Sequence, residues 1–359
     1  MNVLIVPDKF KGTSTATEVA EAIGQIFGKS HKVIIQPLAD GGEGTLEAFG
    51  GGNRSSLVSD PLSRKIEASW RLEGKSAVIE MARASGLHLV GGREGNDPLN
   101  ASTFGTGELI AKAIERGAEE ILIGLGGSAT TDGGFGALEA LIPHGRLRGI
   151  EIIAACDVST GFLKSAEIFG PQKGASQTQV KFLQNRLERL AQIYHDERKV
   201  DVTKLSMSGA AGGLAGGLAS VGAKLINGFE AVAEKVGLLE LIEQADLIVT
   251  GEGEVNESSF QGKVVGGVLQ IAKETNTKSL VIAGQVAKDV SVPVPTFTLK
   301  ECVGEKVAFE DTSQAILRTA EKAMSNWAER KTGRETVIMT DRIERKGTRA
   351  LGSIGVLPE

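Results

Sequence analysis

Hydrophobic residues fall in short runs along this chain, and longer amphipathic stretches separate the runs. The runs occupy residues 3–6, 33–35, 121–123, 150–155, 247–249 and 280–283. The amphipathic stretches have polar residues spaced for one solvated face, which predicts helices over residues 16–27, 107–116, 177–194 and 312–329. Buried strands that alternate with helices are typical of α/β proteins with largely parallel sheets. We therefore predict a layered α/β fold.

The pattern changes between residues 55 and 80. Short runs at residues 56–58, 66–70 and 77–79 are separated by turn residues. This spacing predicts an antiparallel meander rather than parallel strands. With 359 residues, the chain is long enough for two domains at about 100–200 residues each, and the meander is a candidate junction between them.

Charge and cysteine content bear on the class of function. The chain has 40 basic and 45 acidic residues, a formal net charge of −5, and no long run of like charge. Nucleic-acid and membrane partners are therefore not expected. Cys156 and Cys302 offer neither a disulfide framework nor paired metal ligands. Because no apolar run approaches the ~18 residues of a membrane span and the first residues do not resemble a signal peptide, we expect a cytoplasmic protein.

Glycine is in excess, with 47 residues or about 13% of the chain against the usual ~7%. The excess lies in loops at residues 40–45, 124–134, 209–217 and 250–254. Successive glycines after a strand expose backbone N–H groups that can hold phosphate, and carboxylates beside them can hold Mg²⁺. The loop at 209–217 has no ionisable group, so it is either an anion site or a closely packed helix. Together the loops favour nucleotide chemistry.

Other nucleotide and hydrolase signatures are weak or absent. Residues 124–129 satisfy G-x-G-x-x-A after a predicted strand, but no acidic residue ends a strand ~20 residues later, as an NAD-dependent oxidoreductase requires. No stretch satisfies G-x-x-x-x-G-K-[ST], HExxH or G-x-S-x-G. An oxidoreductase remains a minor alternative, and P-loop NTPases, zinc hydrolases and serine hydrolases are disfavoured.

A colinear series of segments carries a more specific signal. The segments are PDKFKG (7–12), LADGGEGT (38–45), VIEMA (78–82), ASGL (84–87), GTGELI (105–110), IGLGGSA (123–129), DGG (132–134), ACDV (155–158), FGPQKGA (169–175), GAAGGL (209–214), TGEG (250–253) and QGK (261–263). In this order they resemble the glycerate kinase family, whose members phosphorylate D-glycerate with ATP. The resemblance extends from the first predicted strand to about residue 328.

The resemblance implies two α/β domains with largely parallel sheets and the active site in the cleft between them. One domain would be flavodoxin-like, and the other would be built from both ends of the chain. We accordingly expect a discontinuous domain of residues 1–75 and 276–332 and an inserted flavodoxin-like domain of residues 76–275. Residues 333–359 match no segment of the family, and we interpret them as a loosely packed tail.

The resemblance also implies ATP and a divalent cation, usually Mg²⁺, as cofactors, and D-glycerate as the small-molecule substrate. We expect 2-phosphoglycerate as the product, with 3-phosphoglycerate as the other outcome that the family allows. This chain departs from the family pattern at Asn256, where Asp is usual, at Thr131, where Asn is usual, and at Lys9, where Ser is usual. A non-catalytic homologue that binds a nucleotide or sugar acid is therefore the alternative hypothesis.

Phosphoryl transfer needs a carboxylate near the attacking hydroxyl and positive charge around the moving phosphoryl group. The catalytic candidates are carboxylates that follow strands or lie in glycine-rich loops, namely Asp40, Asp132 and Asp157. Asp40 or Asp132 would accept the proton. Asp157 together with Glu252 would hold Mg²⁺.

The remaining candidates bind phosphate or glycerate. Glycine-rich loops and the lysines beside glycine are expected to hold the nucleotide. This nucleotide-binding set comprises Gly126, Gly127, Ser128, Lys173, Gly251, Glu252 and Lys263. Lys11, Arg83 and Ser85 are expected to bind the glycerate carboxylate.

Overall fold

The structure, a computed structural model, describes residues 1–331. Its strands are β1 Asn2–Ile5, β2 Lys32–Ile35, β3 Arg54–Ser59, β4 Lys65–Glu73, β5 Ser76–Glu80, β6 Glu120–Gly124, β7 Glu151–Cys156, β8 Lys224–Asn227, β9 Leu247–Thr250, β10 Glu254–Val255, β11 Ser279–Ala283, β12 Gln285–Val286 and β13 Thr296–Thr298. The predicted tail at residues 333–359 lies outside the described residues.

Helices connect most of these strands. They are α1 Ala16–Phe27, α2 Thr45–Ala48, α3 Ala82–Ser85, α4 Gly92–Gly95, α5 Phe104–Glu115, α6 Phe135–Ala140, α7 Ser165–Phe169, α8 Gln177–Arg198, α9 Leu214–Ala219, α10 Gly228–Lys235, α11 Leu238–Glu243, α12 Val264–Glu274, α13 Leu299–Val303, α14 Glu305–Glu310 and α15 Thr312–Lys331. Each predicted strand and helix is present, within a few residues of its expected ends. The predicted α/β class with mostly parallel sheets is confirmed.

The first sheet has five parallel strands in the order β13-β11-β9-β1-β2. Successive side chains of a strand point to opposite faces. Val3 and Ile5 accordingly pack in one core with α1 and α15, whereas Leu4 and Val6 pack in another with α10 and α12. Both faces of this sheet are buried at β1, so the sequence of this strand is a continuous apolar run.

The second sheet has six strands in the order β3-β4-β5-β6-β7-β8. Strands β3, β4 and β5 form an antiparallel meander, and β5 to β8 are parallel. The change of sheet character predicted between residues 55 and 80 is therefore confirmed. Leu46 of α2 and Ala231 of α10 pack against Val78, Leu122 and Ala155 of this sheet. Since α10 also packs on the first sheet, these two helices lie between the sheets.

Sheet membership differs from the expected boundaries at residues 75 and 275. Strands β3 and β4 belong to the second sheet, and β9 pairs with β1 in the first. The chain therefore leaves the first sheet between β2 and β3 and returns between β8 and β9. An apolar run predicts a strand but does not indicate which sheet the strand joins. The expected boundaries at residues 75 and 275 therefore differ from the points where the chain changes sheets. The division into domains itself stays a prediction.

The glycine-rich stretch at 209–217 is a tightly packed corner. Ala211 and Gly212 have left-handed backbone angles, and α9 begins directly after the turn. A Cβ at Gly212 would lie 1.8 Å from the carbonyl oxygen of Thr130, and one at Gly217 would lie 2.6 Å from that of Gly133. Glycine here permits backbone-to-backbone contact, so of the two interpretations the structure favours close packing.

Candidate active site

A cavity of about 570 Å³ lies at the carboxyl ends of strands from both sheets. The loop after β1 contributes Asp8 to Lys11, the loop after β2 contributes Asp40, and the residues after β9 contribute Glu252. From the second sheet, Asp157 follows β7 directly. Open α/β sheets bind ligands at this end of their strands, so the cavity is the candidate active site.

Seven carboxylate residues line this cavity, among them Asp8, Asp40, Asp157 and Glu252. Burial raises the pKa of Asp8 and of Asp157 to about 6, and the charge of Asp40 adds to the rise at both. Burial also raises the pKa of Glu252 to about 7. Within residues 1–331, the buried Oε1 of Glu252 has no hydrogen-bond partner. One buried carboxylate oxygen of the cluster therefore lacks a donor, and a cation bound there would supply the missing positive charge.

Lysines partly balance this negative charge. Lys9 Nζ lies 3.6 Å from Asp8 Oδ1 and 4.0 Å from Asp40 Oδ1. Burial alone would lower the pKa of Lys9, but the surrounding carboxylates outweigh burial and raise it. Lys263 lines the same cavity immediately before α12. The lysines and the start of this helix place positive charge where a phosphate chain could lie.

Gly126 and Gly127, here called the glycine wall, also line the cavity. A Cβ at Gly126 would lie 2.4 Å from the Cα of Gly42, so two glycine-rich loops meet backbone to backbone there. Gly127 has a left-handed φ of 69°, which other residues rarely adopt. The wall therefore presents backbone rather than side chains to the cavity.

Asp132, expected as a possible proton acceptor, lies away from the cavity. Its Oδ2 accepts hydrogen bonds from the N–H and the hydroxyl of Thr103 at 2.8 and 2.7 Å and from the N–H of Gly136 at 3.2 Å. Its Oδ1 accepts from the N–H of Gly134 at 3.1 Å. The carboxylate thus joins the starts of α5 and α6, and the structure gives it a role in the fold rather than a place at the cleft.

Besides Arg83, four further sequence candidates are absent from the cavity lining, namely Ser85, Gly251, Lys173 and its hydrogen-bond partner Ser128. Ser85 is fully buried and shares a 2.7 Å hydroxyl contact with Thr106. Gly251 packs under β11, where a Cβ would lie 1.8 Å from the Ile282 carbonyl oxygen. Lys173 is 2% exposed and donates to Ser128 Oγ at 2.7 Å, behind the glycine wall. None of these side chains is positioned to contact a ligand in the cleft.

Arg83 lies in a chamber of about 340 Å³ beside the main cavity, together with Lys11. Its guanidinium donates to Glu47 and lies 3.9 Å from Glu80. Lys9, Lys11 and other residues of the first loop line both spaces. The chamber is thus an extension of the cleft, and three cationic side chains, Lys9, Lys11 and Arg83, line it.

Sequence reasoning missed several residues that line the cavity. Asp8 follows the first apolar run after one intervening residue, Pro7, so the rule that selected Asp157 could have found it. Lys9 appeared in the sequence analysis only as a difference from the family pattern. The third missed group comes from the helices near the end of the described chain and includes Leu299, Ala308 and Phe309. No motif marks these positions, because only the packing of α13 and α14 brings them to the cleft.

The donors present suit Mg²⁺ bound jointly with phosphate. Among residues 1–331, no group of three or more His, Cys, Asp or Glu side chains could hold a metal ion without other ligands. Mg²⁺ in nucleotide sites usually takes one or two carboxylates and completes its shell with phosphate oxygens and water. Asp157 and the unpartnered Oε1 of Glu252 fit that requirement.

Comparisons with known proteins agree with this geometry. The chain matches the glycerate kinase family over residues 3–144 and 142–332. It is 40% identical to the glycerate 2-kinase of Escherichia coli K12, with 81% of this chain and 87% of the relative covered. This chain belongs to the glycerate kinase family. It is therefore a kinase, with ATP as the phosphate donor and glycerate as the substrate.

Other relatives support the same assignment. The glycerate kinase of Halalkalibacterium halodurans is 37% identical, with 80% of this chain and 86% of the relative covered. A solved structure described as a glycerate kinase 2 from Salmonella typhimurium LT2 is 35% identical and superimposes with a TM-score of 0.80, covering 92% of this chain and 99% of that one. Among the helices of residues 1–331, none combines the length and apolar character that crossing a membrane requires.

Proposed function

We propose that this kinase transfers the γ-phosphoryl group of ATP to the C2 hydroxyl of D-glycerate and forms 2-phosphoglycerate. The observation that carries the proposal is that Asp8, Asp40, Asp157 and Glu252 line one cavity together with the glycine wall, Lys9 and Lys263. Carboxylates, lysines and exposed backbone N–H groups are the components of a phosphoryl-transfer site. The relative named a glycerate 2-kinase supports the choice of hydroxyl.

Asp157 and Glu252 are the proposed ligands of Mg²⁺. When bound, the ion would neutralise charge on the phosphate oxygens and help to align the γ-phosphoryl group. Both carboxyls have a pKa raised by burial, so a cation at this place would relieve the cost of ionising them. Lys263 and the N–H groups of the glycine wall would bind the phosphates from either side.

Asp40 is the proposed proton acceptor. It lines the cleft, and its Oδ1 accepts one long hydrogen bond of 3.3 Å from the N–H of Gly42. Its carboxylate therefore retains lone pairs for the hydroxyl of glycerate, whereas both oxygens of Asp132 are already occupied. A base must reach the proton that it removes, so Asp40 is favoured over Asp132.

Lys11 and Arg83 are the proposed partners of the glycerate carboxylate, in the side chamber that joins the cleft. A carboxylate is bound best by charge-assisted hydrogen bonds from such cations. Arg83 already contacts Glu47, so glycerate would share or displace that contact. Ser85 is not proposed as a partner of the glycerate carboxylate, because its hydroxyl contacts that of Thr106. The expected cytoplasmic location stays a prediction from the sequence.

Proton-coupled phosphorus NMR of the reaction mixture tests the proposal. With ATP, Mg²⁺ and D-glycerate, we expect a new phosphomonoester signal split into a doublet, because phosphate on C2 couples to a single proton. A triplet would show phosphorylation of the C3 hydroxyl and would refute the choice of hydroxyl. No ester signal, together with unchanged ATP, would favour the non-catalytic binder.

A further inference from the structure

Two buried side chains hold the loop that continues from the glycine wall. Lys173 Nζ donates to Ser128 Oγ at 2.7 Å and to the Thr130 carbonyl oxygen at 2.6 Å. Asn96 Nδ2 donates to the carbonyl oxygens of Ala129 and of Lys173, both at 2.9 Å. These two side chains therefore hold three consecutive loop residues, 128 to 130, and the Asn96 side chain also bonds the backbone of Lys173.

Backbone contacts hold the same loop on its other side. The N–H of Leu87 donates to the carbonyl oxygen of Gly127, and the N–H of Ala129 donates to the carbonyl oxygen of Ser85, both at 2.9 Å. Backbone and side-chain hydrogen bonds therefore hold each residue from 127 to 130. Its geometry toward a ligand depends on the groups behind it.

Lys173 is itself held in place by close packing. It ends a short 3₁₀ turn, Pro171–Lys173, and the next residue, Gly174, has a left-handed φ of 95°. A Cβ at Gly174 would lie 2.5 Å from the carbonyl oxygen of Arg93. The backbone at Gly174 therefore packs directly against the backbone of Arg93. This contact fixes the segment from which the Lys173 side chain reaches the loop.

Burying a charged ammonium group to hold a loop carries a large desolvation cost. Burial lowers the pKa of Lys173 to about 7, even though the charges of Asp132 and Asp157 act to raise it. The cost of desolvating a buried charge offsets much of what its hydrogen bonds contribute to stability. Stability alone therefore does not explain why a lysine occupies this position.

We propose that Lys173 and Asn96 are positioning residues, which hold the N–H groups of the glycine wall in the geometry that binds the phosphates of ATP. The inference rests on the proposed function, in which the wall contacts the nucleotide. Preorganised donors bind a charged group more strongly than donors that must first be ordered. Lys173 also places its ammonium against Ser128 and Thr130, in the loop that continues from the wall.

The test compares Lys173→Met with Lys181→Met, a control in which an exposed lysine of α8 changes in the same way. Steady-state kinetics are measured with ATP or D-glycerate varied, together with the melting temperature. We expect Lys173→Met to raise the KM for ATP at least ~10-fold and to change the KM for glycerate less than ~3-fold. The melting temperature should stay within a few degrees, and Lys181→Met should behave like the wild type.

Ser128→Ala supplies the second arm, because it removes one acceptor and leaves Lys173 in place. We expect it to raise the KM for ATP by ~2- to 4-fold, and the double variant to show no larger increase than Lys173→Met alone. Fully additive effects would indicate that Lys173 contacts the nucleotide independently of Ser128, which would overturn the inference. If Lys173→Met does not fold, Ser128→Ala with an unchanged KM for ATP would overturn it as well.

The outcomes separate this inference from the proposed function. If the wild type turns over and Lys173→Met retains its KM for ATP, or changes only the KM for glycerate, the positioning role is refuted and the kinase stands. If the wild type does not bind Mg-ATP in a calorimetric titration, the proposed function and this inference fail together.

Discussion

Two neighbouring loops of the second sheet place aspartates in opposite roles. The loops follow the adjacent parallel strands β6 and β7 and carry Asp132 and Asp157. Asp132 accepts four hydrogen bonds at the starts of two helices. Asp157 follows the end of its strand directly, faces the cleft, and has a pKa raised to about 6 by burial. The number of donors around a carboxylate, rather than the glycines beside it, separates a structural aspartate from one available for chemistry.

The first prediction uses the aspartate in the cleft. Asp157→Asn should lower kcat by at least ~10²-fold, or ~2.7 kcal/mol in barrier height, because an amide is a poorer Mg²⁺ ligand. Its melting temperature should be unchanged or higher near neutral pH, since the substitution removes a buried negative charge. Steady-state ADP release and thermal unfolding measure the two effects. Near-normal turnover by the folded variant would remove Asp157 from the site.

The opposite result is expected for Asp132→Asn. Both oxygens of Asp132 accept hydrogen bonds, but the NH2 group of asparagine cannot accept one. At least one N–H donor would lose its acceptor, so the free energy of unfolding should fall by about 2–3 kcal/mol. Turnover below the melting temperature should stay within ~5-fold of the wild type, because Asp132 lies away from the cleft. Urea unfolding monitors stability. A stable variant with greatly reduced kcat would return Asp132 to the list of catalytic residues.

The sequence predicted the strands and helices more completely than it predicted the residues of the candidate site. Apolar runs and amphipathic stretches predicted the strands and helices, because burial on a sheet or helix face leaves a period in the sequence. Asp157 and Glu252 were found because they follow strands. Asp132 and Ser85 share the same glycine-rich context, but no pattern reports which donors surround a side chain. Their placement became visible only with the packed structure.

Glu80 extends the comparison to the third adjacent strand, because it ends β5 beside β6. Burial, followed by the charge of Glu47, raises its pKa to about 7. Between pH 4.5 and 7 the unfolded chain releases this proton before the folded chain does, so Glu80 makes the folded protein progressively less stable as pH rises.

Glu80→Gln removes this titration. The unfolding free energy of the wild type minus that of the variant should therefore fall by on the order of 2 kcal/mol between pH 5 and pH 8. Urea unfolding of both proteins at the two pH values measures the difference. A difference that stays constant with pH would show that Glu80 ionises in the folded protein as it does in the unfolded chain.

The smallest effect is expected at Asn256, where the family usually has Asp. Its Oδ1 accepts from the N–H and hydroxyl of Ser258 at 2.9 and 2.7 Å, and an aspartate would offer the same acceptor. Asn256→Asp should therefore change kcat by less than ~10-fold, or ~1.4 kcal/mol. Kinetics at saturating Mg-ATP compare the two forms. An inactive parent that becomes active only with this substitution would favour the non-catalytic binder.

The most direct test is a coupled assay of ADP release with and without D-glycerate. It compares the wild type with the Asp157→Asn variant. We predict that the wild type releases ADP in the presence of D-glycerate at a rate far above its rate without it, and that the variant loses at least ~10²-fold of this rate while it stays folded. ADP release that is independent of D-glycerate, or equal in the two proteins, would contradict the assignment of the cleft as the site of phosphoryl transfer.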